Sequence, residues 1–187
     1  MTDLSDDQLM LDVVNHCSGA FNELVTRHVD VLHAYAFRLC GDASSADDLV
    51  QETWLKVWTH AHTYRVGQVK LRTWLHKVLH NKFVDQYRKQ SKFSQAEDYA
   101  ELSLEGPNSS EPELHNQRQE QVDSLVNLLV KVPQNQRAAL LLVHRQGFSV
   151  DETAKILDLS NAATQSLLAR GRRTLRNAEI KKRARES

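Results

Sequence analysis

Residues 149–176, SVDETAKILDLSNAATQSLLARGRRTLR, have the layout of a helix-turn-helix: a short helix, a tight turn and a longer helix. Ser149 and Glu152 form a capping box that opens a helix over Val150 to Leu157. DLS makes the turn, Ser160 caps again, and the last helix runs from Asn161 to beyond Arg176. Small Ala154 lets the second helix approach the first closely, and Ile156, Leu157, Leu159 and Leu168 pack between them. The N-terminal half of the second helix then points towards a major groove. Arg170, Arg172, Arg173 and Arg176 follow, suited to phosphates, which fix register without reading sequence. An ordinary helical hairpin is the competing reading of this stretch.

Upstream the pattern is helical throughout. Ser5 and Gln8 make a capping box. A helix follows over about Ala20 to Leu39, with Phe21, Leu24, Val25, Val31, Leu32, Tyr35 and Leu39 at helical spacing, and Gly41 ends it. Ser44 or Ser45 caps the next helix, whose stripe is Ala46, Leu49, Val50, Thr53, Trp54, Val57, Trp58 and Ala61. After a loop at about 65–70, a further helix carries Leu71, Trp74, Leu75, Val78, Leu79, Phe83 and Tyr87. From about 91 to 117 the periodicity stops in an acidic, Ser-rich stretch holding Gly106, Pro107 and Pro112. Beyond it Val122, Leu125, Val126 and Leu129 begin a second helical unit, in which Pro133 starts a helix running to about Arg145 and Gly147 stops it. The expected architecture is all-α: a helical domain over 1–92, a flexible acidic linker over 93–117, and a helix-turn-helix domain over 118–187.

Composition narrows the function classes. The 187 residues hold only 6 Gly and 3 Pro, and no run of alternating β-branched residues. The acidic N-terminus MTDLSDDQLM is no signal peptide, and the longest apolar run, AALLLV, is far short of a membrane span, so a cytoplasmic location is expected. Cys17 and Cys40 fit free thiols, a redox switch between them being the minor alternative. The formal net charge of zero conceals blocks: −7 over 1–60, +7 over 61–92, −7 over 93–123 and +7 over 124–187. Two basic blocks separated by acidic ones suggest two contacts with a polyanion. The first basic block interleaves cations (Arg65, Lys70, Arg72, Lys77, Lys82, Arg88, Lys89) with the rings of Tyr64, Trp74, Phe83 and Tyr87. That mixture suits single-stranded DNA, although Trp74 also fits the core stripe. Asp47, Asp48, Gln51 and Glu52 form an acidic cluster at the opening of a helix, where negative charge is favourable in any case.

GDASSADDLVQETWLKVW, LRTWLHKVLHNKFVDQYRK and the helix-turn-helix, in this order around an acidic linker, resemble the extracytoplasmic-function (ECF) sigma factors over about residues 20–90 and 120–176. The resemblance implies an initiation subunit of RNA polymerase with core polymerase and promoter DNA as partners, and an anti-sigma factor as a further one. Asp47, Asp48, Leu49, Gln51 and Glu52 would contact the core enzyme. Tyr64, Arg65, Lys70, Arg72, Lys77, Asn81, Lys82 and Arg88 would open and read the minus-ten element, and a flipped base would enter a protein pocket. Asp85 and Arg88 match the family's Asn-x-x-x-Asp-x-x-Arg pattern, with Asp85 a local structural partner. Asn161, Ala163, Thr164, Gln165, Arg170, Arg172 and Arg173 would meet the minus-thirty-five element as duplex. The linker would thread a polymerase channel, its charge mimicking nucleic acid. No cofactor or metal is implied, and no catalysis.

The chain departs from the family in four places. Gln165 and Leu167 stand early in the recognition helix where basic residues are frequent, Asp158 stands in the turn where Gly is usual, Thr164 replaces a common Val, and His80 precedes Asn81 in place of Arg. Gln165 retains the ability to pair bidentately with adenine. His76 and His80, four apart on one helix, have metal-ligand spacing without a third ligand motif, and solvent-facing, DNA-proximal imidazoles are the expectation. A freestanding helix-turn-helix regulator would explain the C-terminal part and leave 44–90 unexplained. An interaction protein without DNA activity, such as a degenerate sigma factor, is a third class.

Overall fold

The computed structural model describes residues 4–97 and 125–183, with side chains over 4–89 and 125–181. The described backbone is helical and contains no strand. The linker and its acidic residues lie outside the described residues from 98 to 124.

Four helices build the first half. α1 (Asp6–Val14) opens on the expected box: Ser5 accepts from the Gln8 amide, and Gln8 Oε1 accepts from the Ser5 amide at 3.1 Å. α2 (Ser18–Cys40) is longer at both ends than its apolar spacing suggests, and stops where Gly41 adopts φ 91° and donates to the Phe37 carbonyl. α3 (Ala43–Thr59) is capped by Asp42, whose Oδ1 accepts from the Ser45 amide at 2.8 Å; Ser44 and Ser45 lie inside the helix. A single 3₁₀ turn, Ala61–Thr63, leads through a loop to α4 (Leu71–Glu97), which continues past 92 although its apolar stripe fades there. The core of this half is Leu24, Leu32, Tyr35, Leu39, Leu49, Val57, Leu75 and Leu79, all close to fully buried.

The second half contains α5 (125–130), α6 (Gln134–Leu140), α7 (Val150–Leu157) and α8 (Asn161–Arg183). α6 runs on as a π-helical turn over Leu141–Arg145. The wider turn and the positive φ of Gly147 swing the chain back, so that the Phe148 amide reaches the Leu142 carbonyl at 3.0 Å and the ring is buried. The Ser149–Glu152 capping box forms as expected. α8 crosses α6 at Gly171, where a Cβ would lie 3.0 Å from Leu140 Cδ1.

The two halves share one apolar cluster, in which Leu129, Leu141, Leu142, Phe148 and Ile156 join the core of the first half. Gly41 serves this closure as well as its helix end, because a Cβ there would come within 2.5 Å of Val130 Cγ2. Buried Arg137 donates from Nη1 to the Leu39 carbonyl at 2.6 Å, satisfying an acceptor at the C-terminal end of α2. Burial holds its guanidinium below the usual arginine pKa.

Candidate polymerase and nucleic-acid surfaces

On α3 a rotation of about 100° per residue separates the acidic residues from the core. Asp47, Asp48, Gln51 and Glu52 are exposed, whereas Leu49 is fully buried. Leu49 is therefore a core residue and does not belong to the contact surface expected from the sequence. Asp47 meets His33 Nε2 at 2.9 Å, and Glu52 meets Lys82 Nζ at 3.2 Å. Leu55, one turn beyond Gln51 and Glu52, is an apolar side chain 63% exposed on this face. It falls off the core stripe, which is the sequence signal that marks it.

The second surface lies along the loop before α4 and on α4 itself. Arg65, Lys70, Asn81 and Arg88 are exposed, and Lys77, Asn81 and Arg88 follow at helical spacing along one side. Tyr64 departs from the expectation: its ring packs edge-on against Trp74 (centroids 5.4 Å apart), and its hydroxyl donates to Asp7 Oδ1 at 2.5 Å, with the Val69 carbonyl 3.1 Å away. Burial, then the Asp7 hydrogen bond, raises its pKa beyond the ordinary range. At 7% exposure it is a core ring. Among the described side chains of this helix, Tyr87 is an aromatic exposed to solvent, at 51%.

His76 and His80 also differ from the expectation, since both are buried. His76 Nδ1 is 2.8 Å from the Arg72 carbonyl, and its ring lies 4.8 Å from that of Phe148 and 5.3 Å from that of Tyr35. Desolvation pushes the pKa of each imidazole down to about 4. Among the described residues no group of three or more His, Cys, Asp or Glu is placed to hold a metal ion.

The third surface is the helix-turn-helix. Asp158 turns the chain with φ 58°, in the left-handed region that a Gly would adopt freely. Ser160 Oγ accepts from the Ala163 amide at 3.1 Å. Asn161, Gln165, Arg170, Arg172 and Arg173 are exposed, and Ala163 is half-buried. Thr164 is fully buried with its hydroxyl on the Ser160 carbonyl, so it anchors the turn and reaches no base edge. Leu159, placed between the helices by the sequence, is exposed instead. Asn161 Nδ2 lies 3.3 Å from Asp151 Oδ1, linking α8 to α7.

The second and third surfaces face each other. Arg65, Gln68, Trp74 and Lys77 line a cleft of about 570 Å³ opposite Asp151, Lys155, Asp158 and Asn161. Arg72 donates to the Gln146 carbonyl and stacks its guanidinium 4.3 Å above the Phe148 ring. Lys77 Nζ lies 3.3 Å from Asp158 Oδ1.

Residues 24–93 match Sigma-70 region 2, and residues 123–175 match Sigma-70, region 4. The ECF RNA polymerase sigma factor EcfG of Rhodopseudomonas palustris is 34% identical over 79% of this chain and 78% of its own length. The chain belongs to the ECF family of RNA polymerase sigma factors. The ECF sigma factor SigE of Mycolicibacterium smegmatis is 32% identical over 84% of this chain, which spans 61% of that relative. In fold, this ECF sigma factor is similar to a sigma factor RpoE from Bartonella quintana solved with the anti-sigma factor NepR (TM-score 0.68, 24% identity, 86% of this chain and 96% of that one). It is also similar to CnrH solved with the cytosolic domain of CnrY (TM-score 0.66, 24% identity, 92% and 95%). The α3 and α4 surfaces of this ECF sigma factor fall within its region 2 match, and α7 with most of α8 falls within region 4.

Proposed function

We propose that this chain binds core RNA polymerase, recognises promoter DNA through two separate surfaces and starts transcription without catalysis of its own. Three chemically distinct faces on one small chain carry this reading. Asp47, Asp48, Gln51, Glu52 and Leu55 give an acidic face with an apolar centre for the core enzyme. Arg65, Lys70, Arg72, Lys77, Asn81, Lys82 and Arg88 supply cations and a polar reader along α4, suited to the separated strand of the minus-ten element. Asn161, Ala163 and Gln165 head the recognition helix, with Arg170, Arg172 and Arg173 on phosphates of the minus-thirty-five duplex.

No described helix is long and apolar enough to cross a membrane. The work assigned to the chain places it in the cytoplasm with the polymerase. Two structural relatives were solved as complexes with partners, one of them named as an anti-sigma factor, which supports an inhibitory partner here too. The purified chain mixed with bacterial core polymerase on sheared DNA from its source is expected to yield discrete transcripts that require the chain. Polymerase binding without transcripts would mean a degenerate sigma factor, and no binding would overturn the reading.

A further inference from the structure

α1 lies outside the region 2 match at 24–93, yet it touches the loop assigned to the minus-ten strand. Its seat on the first half is firm. Leu9, Met10 and Val13 are buried in the core. Asp6 Oδ1 pairs with Arg27 Nη1 at 3.2 Å, and Asp6 Oδ2 meets His28 Nε2 at 2.8 Å, both on α2. Arg27 also donates to the Leu4 carbonyl at 2.8 Å. The carboxylate of the next residue, Asp7, is thereby held in place, and there it accepts from the Tyr64 hydroxyl.

Tyr64 stands at the base of the loop. Arg65, Val66, Gly67 and Gln68 are exposed, whereas Val69 is half-buried against the core. The Tyr64 hydroxyl lies 3.1 Å from the Val69 carbonyl, so one ring spans the loop between its two ends. Between those ends the chain turns through the left-handed Gly67, and the Gln68 amide donates to the Arg65 carbonyl at 3.2 Å. The ring alone supplies the packing on Trp74. What the hydroxyl adds is direction: it ties the loop to α1. Arg65 follows Tyr64 in the chain, so a rotation of that ring carries the Arg65 backbone with it. A recognition group works only when its support holds it to within about 0.5 Å of the productive position.

We propose that Asp7 is a positioning residue for minus-ten recognition: acting through the Tyr64 hydroxyl, it fixes the 65–69 loop, and with it Arg65, in the attitude that the separated strand meets. Asp7 has no direct part in binding, since a carboxylate repels phosphate and this one is half-buried on Tyr64. The inference rests on the reading of Arg65 as a minus-ten contact given above.

The test uses the full chain assembled with core polymerase and two fluorescent single strands of equal length. One carries the minus-ten sequence mapped by the transcription experiment, and the other is a scramble of it. The selectivity, the ratio of the two dissociation constants, does not depend on the folded fraction, so a merely structural loss leaves it unchanged. Tyr64→Phe, which keeps the ring on Trp74, is expected to lower the selectivity about fivefold, and Asp7→Ala by a similar factor. Since Asp7 acts through the hydroxyl, the double variant should be no worse than either single one. Asp7→Asn, which keeps an acceptor oxygen at this position, should stay within about twofold of the parent. Asp7→Ser, too short to reach the hydroxyl, replaces Asp7→Ala if that variant fails to assemble. Arg65→Ala tests the reading beneath the proposal. Lower selectivity in Arg65→Ala, with parental selectivity in Tyr64→Phe and Asp7→Ala, would overturn the positioning role and leave the loop reading standing. Losses that multiply in the double variant would also overturn it, because Asp7 would then act by another route. Parental selectivity in Arg65→Ala would remove the loop reading and the proposal with it.

Discussion

Leu49 and Glu52 stand one turn apart on α3, the first buried and the second exposed. Leu49→Ala is expected to destabilise the chain by about 2–5 kcal/mol through a cavity, read as a lower unfolding midpoint. Glu52→Gln should leave that midpoint nearly unchanged, because an exposed pair such as Glu52–Lys82 contributes about 0–1 kcal/mol, and should weaken binding to core polymerase in a titration. Comparable losses of stability and of binding in both variants would remove the distinction drawn between them. At Asp158 the left-handed backbone supplies another test: Asp158→Ala is expected to cost about 1–2 kcal/mol in chemical denaturation, and Asp158→Gly clearly less. The exposure of Asp47, Asp48, Gln51 and Glu52 was legible because charge at a helix opening is a local signal. Leu49 was placed with them because adjacency along the chain is a poor guide to direction around a helix. Tyr64 and Thr164 were read as DNA contacts for a similar reason: their polar atoms are legible, and the partners that consume them, Asp7 and the Ser160 carbonyl, are tertiary or backbone facts.

At the scale of elements, caps were the most legible signals. Ser5–Gln8, Ser149–Glu152, Gly41 and the turn at Asp158 all form where residue type alone put them. Ser149→Ala is expected to cost about 1 kcal/mol and to loosen α7 selectively, visible as faster amide exchange over 150–157 than over α2. Uniform exchange changes across both helices would argue against a local cap. The start of α3 was misread by two or three residues, since Asp42, Ser44 and Ser45 are all good caps and the choice depends on the extended backbone at Asp42. The π-helical turn at Leu141–Arg145 left no mark in the pattern: one extra residue per turn shifts the stripe by less than the scatter of apolar positions. Yet that turn delivers Phe148 to α4.

For the whole molecule, the alternation of charge suggested two nucleic-acid surfaces and followed the division into two matched regions, 24–93 and 123–175. Nothing in periodicity tells how two amphipathic units sit together, so the burial of His76 and His80 between and beneath them was invisible. Both imidazoles have pKa values lowered to about 4 from an ordinary 6.5, chiefly by desolvation, which the hydrogen bond to the Arg72 carbonyl partly offsets at His76. The native state therefore binds fewer protons than the unfolded chain. This stability is fully present above about pH 6.5 and is lost as pH falls towards 4. Between pH 7 and pH 5 each histidine should remove on the order of 2 kcal/mol, and His80→Leu should cut the combined histidine contribution roughly in half in denaturant titrations across that range. An unchanged slope in the variant would show that His80 titrates normally.

The two thiols lie at opposite ends of α2, Cys17 at its N-cap and Cys40 in its last turn, roughly 35 Å apart at the usual rise per residue, too far for any disulfide within one chain. Burial also raises Cys40 to about 12, which keeps it protonated in ordinary buffers, while Cys17 is exposed. Electrophiles therefore find a single address on the unaltered chain. Oxidants, too, meet a surface sulfur whose chemistry is intermolecular, so under peroxide the native molecule forms adducts with small thiols or a covalent pair through Cys17, and its fold has no part in the exchange.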